Sequence, residues 1–436
     1  MQGTMNASMP LFKCSNCNEL LNAPKLICPY CGGLVKANYI KTFKESSSLP
    51  GIWRYSNMLP PLKVKISLGE GNTPLLRSMR IAKGKNVYFK NEGCNPTGSI
   101  RDRAASLVVS HASSEGYKRV IAVSDGNMGV SVAAYATRAG LKASIYAPSW
   151  IEKEKIFLIK TYGAKLVIED KGIDALLKEV DGYSSRVKAY NASSTHNALS
   201  MEGLKTLSYE LYMQLGSVPR RIYVPIGSGL TFLALHYGFK ELLEGGFINK
   251  VPEIIGVEHC GNPKYASFLG ISKKCMEEPY PGLRYYAPPI FNSVIDILRK
   301  HGDLVVVSSR ETIRAAKILA LQEGLFTEIS SAVVVAGYLK TELEDSVIVL
   351  FSHGLKSASG YTRPLRRRFT QPFIGATKRL ILGVLETHKG LTGYEIWRNL
   401  DLNITPQAVY QHLKELTDRG YIRAVQEGDV KRYYLP

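Results

Sequence analysis

The chain contains no apolar run approaching the roughly 20 residues that a membrane-spanning helix needs, so no contact with a membrane is expected. Its first ten residues, Met1 to Pro10, carry no charged side chain and no apolar block, which argues against an export signal and for a cytoplasmic protein. Acidic residues are scarce: 37 Asp and Glu stand against 56 Lys and Arg, a formal net charge of +19. A field of that sign attracts polyanions, nucleic acid among them, although a generally basic surface has the same signature. Cysteine is thin outside one cluster, with Cys94, Cys260 and Cys275 scattered, so a disulfide framework is not expected. What remains is globular: 436 residues, 45% hydrophobic and 21% charged. That length accommodates roughly two to four domains.

The clustered cysteines form Cys14-x-x-Cys17 and Cys28-x-x-Cys31, separated by ten residues. Two such knuckles bring four thiolates into a tetrahedron suited to Zn2+, and four sulfur ligands leave no open position for catalysis, so a structural zinc ribbon is predicted over residues 1–45. Ser46 to Gly51 then reads as a linker.

Beyond it, short β-branched runs alternate with helical periodicity, the rhythm of a parallel sheet. Val120 to Val123 reads as a buried strand that delivers Ser124-Asp125-Gly126-Asn127 at its carboxyl end, with a small-residue helix following. Ile222 to Pro225 leads in the same way into Gly227-Ser228-Gly229-Leu230-Thr231. A strand, a glycine turn and a helix N-terminus make an anion site, because backbone N–H groups and the helix dipole converge there.

Asn95-Pro96-Thr97-Gly98-Ser99-Ile100-Arg101-Asp102-Arg103 resembles the motif that carries the Schiff-base lysine in pyridoxal-phosphate (PLP) enzymes of the threonine synthase type. Leu68 to Leu75, Glu328 to Ala332 and Val347 to Lys356 resemble further landmarks, so the resemblance spans roughly residues 11–358. It implies a two-domain α/β core of fold-type II with parallel sheets, over residues 46–360. By this likeness Asn127 contacts the cofactor's ring oxygen, the 124–127 loop holds a substrate carboxylate, and Gly227, Ser228, Gly229 and Thr231 cup the phosphate. Three cofactor positions depart together: Arg101 replaces the lysine, Leu230 a glycine, and Phe351 the threonine that would bond the ring nitrogen. A guanidinium stays protonated and delocalised and cannot condense with an aldehyde. PLP is therefore not expected as a covalent cofactor, while noncovalent binding stays open. Asp125 would repel a carboxylate unless it pairs with Arg101. Ser352 is a substitute for the lost threonine, although strand alternation points it away.

After Gly360 the composition changes. Residues 361–436 hold 13 Lys and Arg against 7 Asp and Glu. A basic linker, 361–373, contains Arg366, Arg367 and Arg368. Over 374–436, helical periodicity after Ala376, a capped second helix at Thr392, a third opening at Thr405-Pro406, and an alternating hairpin around Glu427-Gly428-Asp429 resemble a winged helix-turn-helix. Gln407, Tyr410, Gln411 and Lys414 share the outer face of the third helix, and Arg423, Lys431 and Arg432 line the wing. These residue types suit base edges and phosphates, and dimeric half-site recognition is the common use of such a module.

Two functions are open on these grounds. The favoured expectation is a homodimeric transcription regulator that binds double-stranded DNA, its core a catalytically silent sensor in which Asn95, Thr97, Ser99, Arg101, Ser124, Asp125, Asn127, Gly227, Ser228, Gly229, Thr231 and Ser352 hold a small anionic amino-acid-like effector. The alternative is an active PLP-dependent carbon–oxygen lyase of the threonine synthase type that carries the winged helix as an accessory, with Lys90 the motif-adjacent amine.

Overall fold

The computed structural model describes residues 12–271, 275–359, 361, 376–388, 390–400, 404–418 and 420–435. They fall into two units, residues 1–358 and 359–436. The first opens with a small antiparallel sheet in which β1 (Phe12–Cys14) lies between β2 (Leu20–Leu21) and β3 (Val35–Ala37). Each cysteine pair is followed by a left-handed residue, Asn18 at φ 60° and Gly32 at φ 71°, which reverses the chain so that both sulfurs of the pair face the same point. This sheet is pinned to the core by backbone bonds from Leu26 to His196 and from Ala198 to Pro24.

The core holds two parallel sheets. In the larger, β4 (Leu75–Arg77) is the antiparallel edge beside β5 (Val87–Asn91), followed by β13 (Ser346–Leu350), β10 (Arg221–Pro225), β11 (Glu253–His259) and β12 (Gly302–Val307). The smaller orders β8 (Lys165–Glu169), β7 (Lys142–Pro148), β6 (Arg119–Val123) and β9 (Tyr190–Asn191). Strands β6, β10 and β13 are buried along nearly their whole length, which is why they read as unbroken apolar runs. Helices α1 (Arg101–Ser114), α2 (Asn127–Arg138), α3 (Lys153–Thr161), α4 (Ile173–Arg186), α5 (Ala198–Leu215) and α6 (Leu230–Glu244) supply the crossovers up to β11. The predicted strands Val120–Val123 and Ile222–Pro225 are β6 and β10, each one residue longer at its start than expected.

Beneath the 95–103 motif lies an ion cluster with no exposure to solvent. Arg103 is fully buried and meets Glu92 through two parallel bonds (Nε to Oε2 2.7 Å, Nη2 to Oε1 2.8 Å) and Glu210 through two more (Nη1 to Oε2 2.9 Å, Nη2 to Oε1 3.0 Å). Burial alone would raise both carboxyl pKa values, but the guanidinium holds them below the usual range. Lys90 is part of this cluster, its Nζ donating to Glu210, to Gln214 and to the carbonyl of Thr73. It is therefore a structural residue of β5 and not a spare active-site amine.

Two of the scattered cysteines, Cys260 and Cys275, form a disulfide, contrary to the expectation from their spacing. The pairing depends on the return of the chain after α7 (Lys264–Phe268), which brings the Cys275 amide to the Cys260 carbonyl at 2.9 Å.

The second unit has helices Ala376–Thr387, Gly393–Asn399 and Pro406–Asp418 and an antiparallel sheet formed by Leu391–Thr392, Val430–Tyr434 and Arg423–Glu427 in that order. Ile381, Leu385, Ile396, Val409, Leu413, Leu416 and Tyr433 are its buried core. A complete capping box at Thr392 and Glu395 fixes the start of the second helix.

Candidate active site

The carboxyl ends of β6, β10 and β13 open on one cleft, the position at which parallel α/β sheets bind ligands. After β6 come Ser124, Asp125, Gly126 and Asn127; after β10, Gly227, Ser228, Gly229, Leu230 and Thr231; after β13, Phe351 and Ser352; Ser99 and Arg101 arrive from the start of α1. The sequence-predicted residues Ser99, Arg101, Ser124, Asp125, Asn127, Gly227, Ser228, Gly229, Thr231 and Ser352 thus all line it. Asn95 and Thr97 do not. Asn95 accepts the Gly71 N–H and donates to Glu92, and Thr97 donates its hydroxyl and its amide to Asp102, so both brace the turn that presents Arg101. Ser352 faces the cleft because β13 ends at Leu350, so strand alternation no longer governs it. Its hydroxyl donates to Glu328.

The second loop forms a cup. Gly229 sits at φ 89°, and a Cβ there would lie 2.5 Å from a Val294 methyl, so only glycine makes this turn. Leu230 begins α6 as a member of the core cluster at the edge of the cleft, and its amide lies 3.4 Å from the Ser228 hydroxyl. Thr231 is buried and its hydroxyl has no hydrogen-bond partner.

Other cleft residues were missed by the sequence reading. Lys155 lies beside Gly126, where its Cδ would stand 3.0 Å from an added Cβ, and its amine pairs with Glu328 at 3.0 Å and with Glu152. Burial would lower the Lys155 pKa, but these carboxylates carry it above the ordinary lysine range; Glu328, which burial would raise, is held low by Lys155 and Ser352. Glu328 also accepts from Asn127 at 2.6 Å, leaving the amide oxygen of Asn127 without a partner. Gly282 and Tyr285 form the opposite wall. Nothing in the local pattern of α3 marks Lys155 as inward-facing, whereas Glu328 lay within a recognised landmark.

Arg101 is the uncompensated group. Its Nη1 is buried without a hydrogen-bond partner, and burial pulls its pKa down against the raising influence of Tyr285 and Asp125. Asp125 does not neutralise it, since among the described residues no ion pair joins the two and Asp125 Oδ2 instead accepts the Gly282 N–H at 2.7 Å.

The cup, the free Thr231 hydroxyl and the free Asn127 oxygen fit a phosphorylated ligand such as PLP held noncovalently. They do not fit a covalent anchor at position 101, and the one lysine lining the cleft, Lys155, is occupied by two carboxylates. At the amino terminus, the sulfurs of Cys14 and Cys31 are 3.5 Å apart and those of Cys17 and Cys28 3.7 Å. A tetrahedral Zn2+ with bonds of about 2.3 Å needs sulfurs about 3.8 Å apart, so the cluster suits the metal.

Fold and cleft together define a parallel α/β protein with a glycine-turned cup at the amino end of α6. Residues 66–354 match the family described as pyridoxal-phosphate dependent enzyme, and the chain belongs to that family. It is 32% identical over 385 residues to a threonine synthase of Methanocaldococcus jannaschii, covering 81% of this chain and 94% of that one. It is 33% identical over 302 residues to a threonine synthase of a Synechocystis species, covering 67% and 78%. Among solved structures, maize serine racemase superposes with a TM-score of 0.58 at 21% identity over 68% of this chain and 93% of that one, a likeness of fold.

These relatives overturn the expectation of a DNA-binding transcription regulator with a silent sensor domain. Threonine synthases match most of the chain, so the departures at the cofactor positions are variation within an enzyme family and do not establish a loss of chemistry. The residues assigned to DNA have other accounts. Arg366, Arg367 and Arg368 lie outside the described residues. Tyr410 packs over Gly393, where a Cβ would fall 2.4 Å from its ring. Arg423 stacks on Tyr434 at 5.5 Å, and Arg432 donates to the Gly390 carbonyl at 2.6 Å and pairs with Glu395 and Glu427. Gln407, Gln411, Lys414 and Lys431 are exposed, as polar residues on any solvated face are. Net charge names a field and not a partner. Among the described residues, no helix is long and apolar enough to cross a membrane.

Proposed function

We propose that the chain is a PLP-dependent carbon–oxygen lyase of the threonine synthase type that holds its cofactor noncovalently. The observation that carries this reading is the buried cup at α6, with the Thr231 hydroxyl unpartnered, in a chain whose threonine synthase relatives match it across most of their length. Bound PLP supplies an electron sink for an amino acid's α-carbon. The protein's part is to grip a phosphate at the amino end of α6, to orient the ligand through the free oxygen of Asn127, and to hold a fixed ion pair, Lys155 and Glu328, beside it. Lys155 is kept protonated and Glu328 ionised, so the pair acts as a set of oriented charges toward the ligand and not as a proton relay. Adding PLP to the purified protein should give a saturable visible band that borohydride treatment does not fix to the chain. A phosphorylated four-carbon hydroxyamino acid should then yield threonine and inorganic phosphate. No saturable PLP binding would sink the reading.

The four cysteines belong, in this proposal, to a zinc ribbon over residues 1–45 that ties the amino terminus to α5. In the same proposal the helix order and hairpin within residues 376–435 make the second unit a winged helix. One Zn2+ per chain by atomic emission is the expected content, and Cys28→Ser should lose it with a drop in melting temperature. Retention of full metal content in that variant would refute the site.

A further inference from the structure

The cleft holds two opposite charges that do not neutralise one another. Arg101 presents a buried Nη1 with no partner, and Asp125 stands on the adjacent loop with one oxygen fixed by the Gly282 amide. Both line the same cleft as the phosphate cup. A buried guanidinium left without an acceptor is costly, and a protein that merely tolerated arginine here would gain by closing the pair. The Gly282 bond instead engages one oxygen of Asp125, and among the described residues no ion pair joins it to Arg101. A ligand bearing an anionic and a cationic group side by side satisfies both at once, and an α-amino acid zwitterion is such a ligand.

We infer that Arg101 and Asp125 form a noncovalent clamp for an α-amino acid, the guanidinium taking its carboxylate and Asp125 its ammonium group. The inference shares one premise with the proposed lyase reading, that the cup at α6 takes a phosphate: that of PLP when PLP is bound, and the probe's own when PLP is absent. The clamp explains how position 101 keeps a role at the centre of the cleft without covalent chemistry: a planar donor fork matches a carboxylate. It also turns the carboxylate at 125 from an obstacle to amino-acid binding into a selector for the amine.

Calorimetric titration of the full-length protein, without added PLP, tests this with four probes: O-phospho-L-serine, O-phosphoethanolamine (no carboxylate), a phosphorylated hydroxy acid (no amine), and inorganic phosphate. Phosphoserine should bind tightest. Arg101→Gln should weaken phosphoserine on the order of tenfold to a hundredfold while changing phosphoethanolamine by no more than about twofold. Asp125→Asn should weaken phosphoserine and phosphoethanolamine and spare the hydroxy acid. Should the Arg101→Gln protein fail to melt cooperatively, Arg101→Lys serves in its place and should keep the preference for carboxylate-bearing probes. Equal weakening of all four probes by Arg101→Gln, or phosphoserine binding no tighter than inorganic phosphate, overturns the clamp. Loss of PLP binding with this selectivity pattern intact would refute the lyase reading and leave the clamp standing.

Discussion

Replacing Arg101 by lysine should convert noncovalent PLP binding into covalent attachment at that position. The 95–103 turn is intact: Asn95 and Thr97 make the bonds that shape it, and α1 starts at residue 101. What this turn lacks is the nucleophile. An arginine remains protonated and delocalised even where burial lowers its pKa, whereas a lysine in the same desolvated place loses its proton readily and reacts with an aldehyde. The expected result is a borohydride-fixed PLP adduct, stoichiometric with protein, that peptide mass spectrometry locates on residue 101. The parent protein under the same treatment should show none. An adduct in the parent, for instance on Lys155, would mean that the cleft has recruited another amine despite its two carboxylate partners.

The second large effect concerns stability. Arg103 is the one cation paired with Glu92 among the described residues, contacting both of its oxygens, and it shares Glu210 with Lys90, all in the absence of solvent. Arg103→Ala would leave Glu92 a buried carboxylate without its paired guanidinium, keeping only the Thr73 and Asn95 hydrogen bonds and the field of Lys90, and removing one partner of a buried pair costs about 3–5 kcal/mol. Urea denaturation at neutral pH should show this loss. In the parent, the depressed pKa of Glu92 contributes stability above the unfolded carboxylate value of about 4.3, and that contribution is lost as pH falls through the folded value. In the variant the bare carboxyl prefers its proton, so the penalty is relieved by acid. The gap between the two proteins should therefore narrow on going from about pH 7 to about pH 4. A gap that stays constant would show that the loss is one of packing and not of charge.

Much of this molecule was legible before any coordinate. The two Cys-x-x-Cys knuckles, the buried runs of β6 and β10 and the Pro406 helix start all arise from interactions between near neighbours, and near neighbours leave periodic traces. The loops of the cup were readable for the same reason, since a strand, a glycine and a helix start are consecutive. Fold-level likeness in turn carried most of the cleft, including the place of Arg101.

What the sequence could not decide was pairing across the chain. Residues 155 and 328 come from elements far apart, and only the approach of α3 to the start of the helix Ile329–Thr341 makes Lys155 and Glu328 an ion pair. The Cys260–Cys275 disulfide and the engagement of Lys90 by Glu210 are of the same kind. Charge misled where it was read alone. The excess of basic residues and the polar face of the third helix of the second unit read as a DNA interface, yet Arg423 stacks on Tyr434 and Arg432 pairs with Glu427 within their own hairpin. The sequence by itself determined the order of strands and helices, the cup and the absence of a lysine at position 101. Only the tertiary structure decided which charges remain unpaired, because pairing depends on distances between elements that local periodicity does not encode, and in the cleft it left Arg101 Nη1 without a hydrogen-bond partner while Asp125 accepts the Gly282 amide.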